Sequence, residues 1–326
     1  MTAASSLPAK PAQPADGRLS TWYTAVLKRV TRQFLVACGA AVLLWVGLGN
    51  PHRLIPMHRS ERLEADGVRF RVLRSGRGDT TLVFLHGYGE SLLSWRLILD
   101  RFRHHYRLLA VDLPGFGLSD KPAGPYDLAA YRRWLGDLLE RETRGPLILV
   151  GHSMGGEIAA GLALDHPDRV VALVLIAPAG AGISPLLSDS TGVTSPSAQW
   201  FATALSYVLP AHDSVWMRET ASDLAYEPAA DTAATRAARE VLHQFDFTAV
   251  GDRFREIRQP VLLIWGRQDP TIPFDIGQRI AASLPCRRFV PLLALHRPHQ
   301  TLPDTVATEM RTFLQRPRCD AVADSG

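Results

Sequence analysis

The hexapeptide Gly151-His152-Ser153-Met154-Gly155-Gly156 follows an unbroken apolar run, residues 147–150, and opens an apolar stretch of helical spacing, residues 154–164. This junction constrains the chain more than any other feature. A strand that turns straight into a helix crowds the side chains two residues before and after the turning residue. Glycine at 151 and 155 removes that crowding and leaves the Ser153 hydroxyl proud of the strand end. The helix start behind it offers the positive end of a helix dipole and free N–H groups. The G-x-S-x-G pattern occurs once in the 326 residues.

Around this junction the chain alternates between short apolar runs and amphipathic stretches. Residues 68–73, 81–85, 107–111, 147–150, 170–176, 261–265 and 288–293 read as strands, and residues 75–79 as a turn. Helices are read at 94–102, 128–140, 154–164, 275–282 and 305–314, with Asp275 as the N-cap of its helix. Strands that are continuous apolar runs, separated by helices, predict an α/β fold with a mostly parallel central sheet flanked by helices. With 46% hydrophobic and 21% charged residues there is material for a sizeable core, which excludes a disordered or collagen-like chain. The rhythm breaks over residues 181–257, read as a helical cap carrying Trp200, Phe201, Tyr207, Trp216, Met217 and Tyr226. These aromatics either form the cap's own core or line an apolar pocket over the carboxyl ends of the strands, where open α/β sheets bind ligands. Residues 62–180 and 258–316 make up the core, and 317–326 a C-terminal tail.

The net charge of +4 is unevenly placed. Residues 1–60 hold seven Lys/Arg against one acid, and the rest of the chain holds 29 against 31. A nucleic-acid-binding body needs basic residues on its own faces, so nucleic acid is not an expected partner. Residues 1–33 read as a basic, disordered tail. Then come sixteen uncharged residues, Phe34 to Gly49, in a candidate apolar helix at 34–50. That run is roughly 24 Å long as a helix, slightly short of a ~30 Å hydrocarbon core. A membrane anchor, a cleaved secretory signal and a buried or surface-lying helix all fit; the basic flanks and the absence of a good cleavage site favour the anchor. The balance of Lys/Arg faintly favours an extracytoplasmic body. Three widely spaced cysteines, Cys38, Cys286 and Cys319, exclude a zinc ribbon.

A serine hydroxyl needs a base, and the base needs an orienting acid. Behind an elbow of this kind the order is Ser, acid, His. His212 and His243 lie in the cap, whereas His296 follows the strand at 288–293 and so returns to its carboxyl edge; His299, three residues on, reads as a structural or supporting residue. For the acid, Asp269 follows the strand at 261–265, and the loop after 170–176 carries no carboxylate. The oxyanion formed by attack at Ser153 would meet the Met154 N–H and, from the His86-Gly87-Tyr88-Gly89 loop, the Tyr88 N–H. His86 and His152 read as loop braces. The close pair His296 and His299 has no carboxylate or cysteine cluster around it, and no metal or cofactor is expected.

The set His86–Gly89, Asp112-Leu113-Pro114-Gly115-Phe116-Gly117-Leu118-Ser119, the elbow at Ser153, Asp269 and His296 resembles the α/β-hydrolase superfamily across about residues 65–315. The resemblance implies a triad of Ser153, Asp269 and His296 with Tyr88 and Met154 as the oxyanion hole. Leu295 stands where the family usually has glycine. The nucleophile is Ser, not the Asp of epoxide hydrolases and haloalkane dehalogenases. Residues 173–180 (LVLIAPAG), the elbow and the apolar N-terminal segment are similar to membrane-anchored monoacylglycerol lipases and related bacterial lipases. That implies a small-molecule or lipid ester substrate, with Trp200, Phe201 and Trp216 as substrate-binding candidates. The alternatives are a carbon–carbon bond hydrolase of ring-cleavage products and a hydrolase-like binding protein, though the latter usually lacks a triad member.

The anchor reading predicts that the full-length protein sediments with membranes and resists high-salt and carbonate washing. Recovery of the full-length chain in the soluble fraction would contradict it.

Overall fold

A computed structural model of the chain describes residues 60–182 and 232–317. The candidate anchor at 34–50, its basic leader, the C-terminal tail from 318 and the cap aromatics Trp200, Phe201 and Trp216 lie outside the described residues. Eight strands form one sheet: β1 (Ser60–Ala65), β2 (Val68–Gly76), β3 (Thr81–Leu85), β4 (Arg107–Val111), β5 (Leu147–His152), β6 (Val170–Ile176), β7 (Val261–Gly266) and β8 (Arg287–Leu292). Their spatial order is β1-β2-β4-β3-β5-β6-β7-β8. The β1–β2 and β2–β4 pairs are antiparallel, and every other neighbouring pair is parallel.

The apolar runs sit in the middle of this sheet because both of its faces are covered. On β3, Val83 and Leu85 enter one core layer while Leu82 and Phe84 enter the other, as the two-residue period of a strand requires. The first layer is closed by α1 (Leu128–Glu142) and α2 (Met154–Asp165). The second contains Trp95, Ile98 and Phe102, with Val306, Met310 and Phe313 from α5 (Pro303–Gln315). Asp127 caps α1, its carboxylate accepting from the Ala130 N–H at 2.7 Å. Residues 154–163 of α2 are all buried, so this helix is apolar nearly all round and has no solvent face.

Four local readings change. β1 pairs with β2 ahead of the expected start of the body. The helix expected at 94–102 is a 3₁₀ turn, Leu92–Trp95, running into the single helical turn Arg96–Leu99. Asp275 is not an N-cap: that position of α4 (Phe274–Ser283) belongs to Pro273, and Asp275 sits in the first turn, paired to Arg279 at 3.0 Å. The last part of the expected cap, α3 (Thr232–Gln244) and the 3₁₀ stretch Gly251–Glu256, belongs to the main core, for Ala237, Val241, Phe245, Val250 and Phe254 are buried in the first layer. Cys286, just before β8, is disulfide-bonded.

Glu157 joins this returning segment to the elbow helix. It lies in the first turn of α2, fully buried, and its Oε1 accepts from the Val250 N–H at 3.2 Å. Burial pushes its carboxyl up to about 8, with nearby Asp246 adding to the rise. The native state therefore holds a proton that the unfolded chain releases near the usual glutamate value of 4.5. Stability should fall as pH rises through that window, by up to about 1.4 kcal/mol per pH unit. Urea unfolding between pH 5 and pH 8 checks this: Glu157→Gln should flatten the decline, and an unchanged slope would contradict it.

Candidate active site

Four parallel strands deliver the candidate residues to one edge of the sheet, their carboxyl ends. β5 ends at His152, Ser153 turns the chain, and Met154 begins α2. Ser153 has φ 51° and ψ −120°, a left-handed backbone that a non-glycine residue adopts only when its surroundings enforce it. Its N–H donates to the Ile176 carbonyl at 3.1 Å, and its carbonyl accepts from Gly156 at 2.9 Å and Ala179 at 3.0 Å. The two glycines answer different contacts. A Cβ on Gly151 would stand 2.4 Å from the Gly155 carbonyl oxygen, and one on Gly155 would stand 2.3 Å from the Leu85 carbonyl oxygen.

The loop after β3 lies against the elbow. A Cβ on Gly87 would be 3.2 Å from the Ser153 Cβ and 2.8 Å from His152 Nδ1. His86 Nε2 accepts from the Leu113 N–H at 2.9 Å, while its Nδ1 is 2.7 Å from the Gly87 carbonyl oxygen, so this ring braces two loops. Burial lowers its pKa, in keeping with a neutral ring. Tyr88 follows, its hydroxyl donating to the Ala238 carbonyl on α3 at 3.0 Å and its ring meeting Phe116 edge-on at 5.4 Å. Asp112 holds the neighbouring loop, accepting from the Leu92 N–H at 2.7 Å and the Leu118 N–H at 2.8 Å.

Asp269 and His296 meet at the far side of the elbow. After β7, Asp269 Oδ1 accepts from the Thr271 and Ile272 N–H groups at 2.8 and 2.9 Å. Its Oδ2 lies 2.7 Å from His296 Nδ1, so one oxygen fixes the carboxylate and the other holds the imidazole. The Asp269 side chain is fully buried and that of His296 is 12% exposed. Gly266 lets the two loops approach, since a Cβ there would be 2.1 Å from the Leu295 carbonyl oxygen. The His296 carbonyl accepts from His152 Nε2 at 3.0 Å, which ties this loop to the residue before Ser153. Burial lowers the pKa of His296, Asp269 opposes that shift, and His152 adds to it. A neutral imidazole oriented through Nδ1 can accept a proton at Nε2.

His299 is fully buried between Trp95 and His152, with ring centroids 4.6 and 4.5 Å away. Sequence separation hid its other neighbour. Glu90, His152 and His299 place potential ligand atoms within 4.8 Å of one another, which corrects the reading that no carboxylate stands beside the histidine pair. The missed residue is Glu90, whose signal in the sequence is a lone carboxylate in a glycine-rich loop of otherwise small or apolar residues.

Residues 80–299 match the family described as the alpha/beta hydrolase fold, and the chain belongs to that family. It is 32% identical over 240 residues to a 2-hydroxy-6-oxononadienedioate/2-hydroxy-6-oxononatrienedioate hydrolase of Burkholderia vietnamiensis, a match covering 68% of this chain and 82% of that protein. It is 31% identical over 214 residues to the dihydrolipoyllysine-residue acetyltransferase component of the acetoin cleaving system of Cupriavidus necator, covering 64% of this chain and only 57% of that protein. Among solved structures it is similar to a bacterial membrane phospholipase A, with a TM-score of 0.66 and 22% identity over 91% of this chain and 98% of the other, a likeness of fold.

The lowered pKa of His296 predicts a ring titration midpoint below the ordinary value of 6.5. In Asp269→Asn the midpoint should fall further, because the carboxylate that favours the charged ring is gone. Histidine-selective NMR across pH 4–8 measures both, and a midpoint above 7 in the wild type would contradict this electrostatic account.

Proposed function

We propose that the protein is a serine hydrolase that cleaves carboxylic esters through an acyl-enzyme at Ser153. The observation that carries this reading is the buried Asp269–His296 pair, 2.7 Å apart, with the His296 carbonyl bonded to the residue preceding Ser153. Ser153 attacks the ester carbonyl while His296 removes its proton and later gives it to the leaving alcohol. Asp269 holds the imidazole tautomer and stabilises the imidazolium, and the Tyr88 and Met154 N–H groups receive the oxyanion. Water then repeats the sequence on the acyl-enzyme.

An apolar acyl ester is the substrate class we favour. Its support is the aromatic-rich segment holding Trp200, Phe201 and Trp216 and the uncharged run at 34–49. The same run supports a single-pass membrane association, and among the described residues no helix is long and apolar enough to cross a membrane. A second reading keeps the triad but cleaves a carbon–carbon bond in a ring-cleavage product; the Burkholderia relative favours it.

The two are separated by assaying detergent-solubilised full-length protein on p-nitrophenyl esters of graded chain length and on a vinylogous diketone acid. We expect ester turnover that rises with chain length, and a loss of roughly 10³-fold or more in kcat for Ser153→Ala and for His296→Ala. Turnover of the diketone acid alone would select the second reading, and wild-type turnover by folded Ser153→Ala would end both.

If the cap aromatics line the acyl pocket, Trp200→Ala, Phe201→Ala or Trp216→Ala should weaken long-chain esters by roughly 1–3 kcal/mol and acetate far less. An equal loss in kcat/KM at every chain length would contradict that assignment.

A further inference from the structure

The turn that offers the Tyr88 N–H is held at its base and at its tip by different parts of the molecule. Gly87–Glu90 is closed by the Glu90 N–H, which donates to the Gly87 carbonyl at 3.2 Å. Gly89 takes the positive φ, 70°, that the third residue of such a turn requires. Glu90 fixes the base. Its Oε2 accepts from the Gly87 N–H at 3.2 Å and from the Ser94 hydroxyl at 2.9 Å, and its Oε1 pairs with Arg297 Nε at 2.8 Å. At the tip, no acceptor among the described residues meets the Tyr88 N–H. That group is available to a ligand's oxygen, and its placement is left to the Tyr88 side chain.

The side chain is anchored on α3. Its hydroxyl donates to the Ala238 carbonyl at 3.0 Å, and its ring is held edge-on by Phe116. Burial pushes the hydroxyl up to about 12, so it remains a donor at neutral pH. α3 is itself seated firmly on the core. Ala237 and Val241 are fully buried in the first layer. Arg236 donates to the Lys121 and Pro122 carbonyls at 2.8 and 3.1 Å, and Gln244 Oε1 accepts from the Tyr126 N–H at 2.8 Å. A continuous set of contacts thus runs from the loop at 121–126 through α3 and the phenol to the oxyanion turn.

We propose that Tyr88 positions its own main-chain N–H: hydroxyl and ring tie the tip of the oxyanion turn to α3, so the seating of α3 governs how well the oxyanion is received. The inference rests on the serine-hydrolase reading and deepens it. Tyr88 is here a positioning residue through its side chain and a donor through its backbone. The bond to the oxyanion gains its strength only as charge develops on the carbonyl oxygen. Displacing the turn tip therefore weakens transition-state binding and leaves ground-state binding nearly intact. Phenylalanine at this position would keep the ring packing and lose only the bond to Ala238.

The test uses the full-length protein, the best ester found for it, and a trifluoromethyl ketone analogue of that ester, whose adduct with Ser153 carries the oxyanion. Tyr88→Phe should lose roughly tenfold in kcat, the worth of one hydrogen bond, with KM nearly unchanged and ketone affinity weakened by the same factor. Tyr88→Ala should lose more, up to the roughly 10²–10³-fold that a whole oxyanion donor supplies. Arg236→Met and Gln244→Ala leave Tyr88 intact. Each should lower kcat and ketone affinity a few-fold and add little to Tyr88→Phe, because all act through one contact. Hydrogen exchange read by mass spectrometry should be faster at residues 86–92 in every variant. Wild-type kcat and ketone affinity in Tyr88→Phe overturn the proposal, as does a loss confined to KM. Losses in the α3 variants that multiply fully with that of Tyr88→Phe overturn it too. Should the Tyr88 variants fail to fold, unchanged ketone affinity in both α3 variants refutes the coupling. A protein that hydrolyses no ester and whose Ser153 is inert to fluorophosphonates refutes the functional reading instead. In that case unchanged exchange at 86–92 in the α3 variants still overturns the coupling, and faster exchange there upholds it.

Discussion

The backbone turn at Ser153 is the constraint on which the rest of the site depends. A non-glycine residue at φ 51° costs on the order of 1–3 kcal/mol and persists only where neighbours enforce it. Here the Ser153 N–H is bonded to β6 and its carbonyl to the Gly156 and Ala179 N–H groups. Gly151 and Gly155 allow main chain to pass where a Cβ would lie 2.4 Å or less from a carbonyl oxygen. The strain is therefore distributed over packed β-sheet, not over a loose loop. The product is a hydroxyl at the carboxyl edge of the sheet with helix N–H groups behind it.

Strand order then decides what can reach that hydroxyl. β3 and β6 flank β5, and the loop after β3 lies directly against the elbow. β7 and β8 lie further along the same parallel sheet, so their following loops return Asp269 and His296 to the same edge. These four segments come from positions as far apart as 86 and 296, and the parallel register brings them together. Burial then makes charge placement decisive. Asp269 has its charge met by two backbone N–H groups and one imidazole, and Glu90 has its charge met by Arg297, His152 and the Gly87 N–H. A buried carboxylate without such partners would destabilise the fold by several kcal/mol.

Much of this was legible in the sequence. The central strands at 81–85, 107–111 and 170–176 have the bounds their apolar runs indicate, because a strand buried on both faces must be apolar throughout. β1 carries no such signal: its SERLEA sequence places charges on an edge strand that needs only one partner. The helix expected at 94–102 is shorter because its apolar spacing serves a 3₁₀ turn packed by Trp95 as well as it would a longer helix. Asp269 and His296 are legible as a pair that meets at one edge because each follows a strand, a rule of position. Glu90 escaped because its partners lie at 152 and 297, and nothing in local pattern links three loops through one carboxylate.

The central claim is that Ser153 is a nucleophile activated by His296 under the orientation of Asp269. Peptide mapping by mass spectrometry after exposure of the full-length protein to a fluorophosphonate tests it directly. The account predicts one adduct, on Ser153, that forms far more slowly in His296→Ala and in Asp269→Asn and is absent from Ser153→Ala. Labelling of another serine, or equal rates of Ser153 labelling in all three proteins that retain it, would contradict the account.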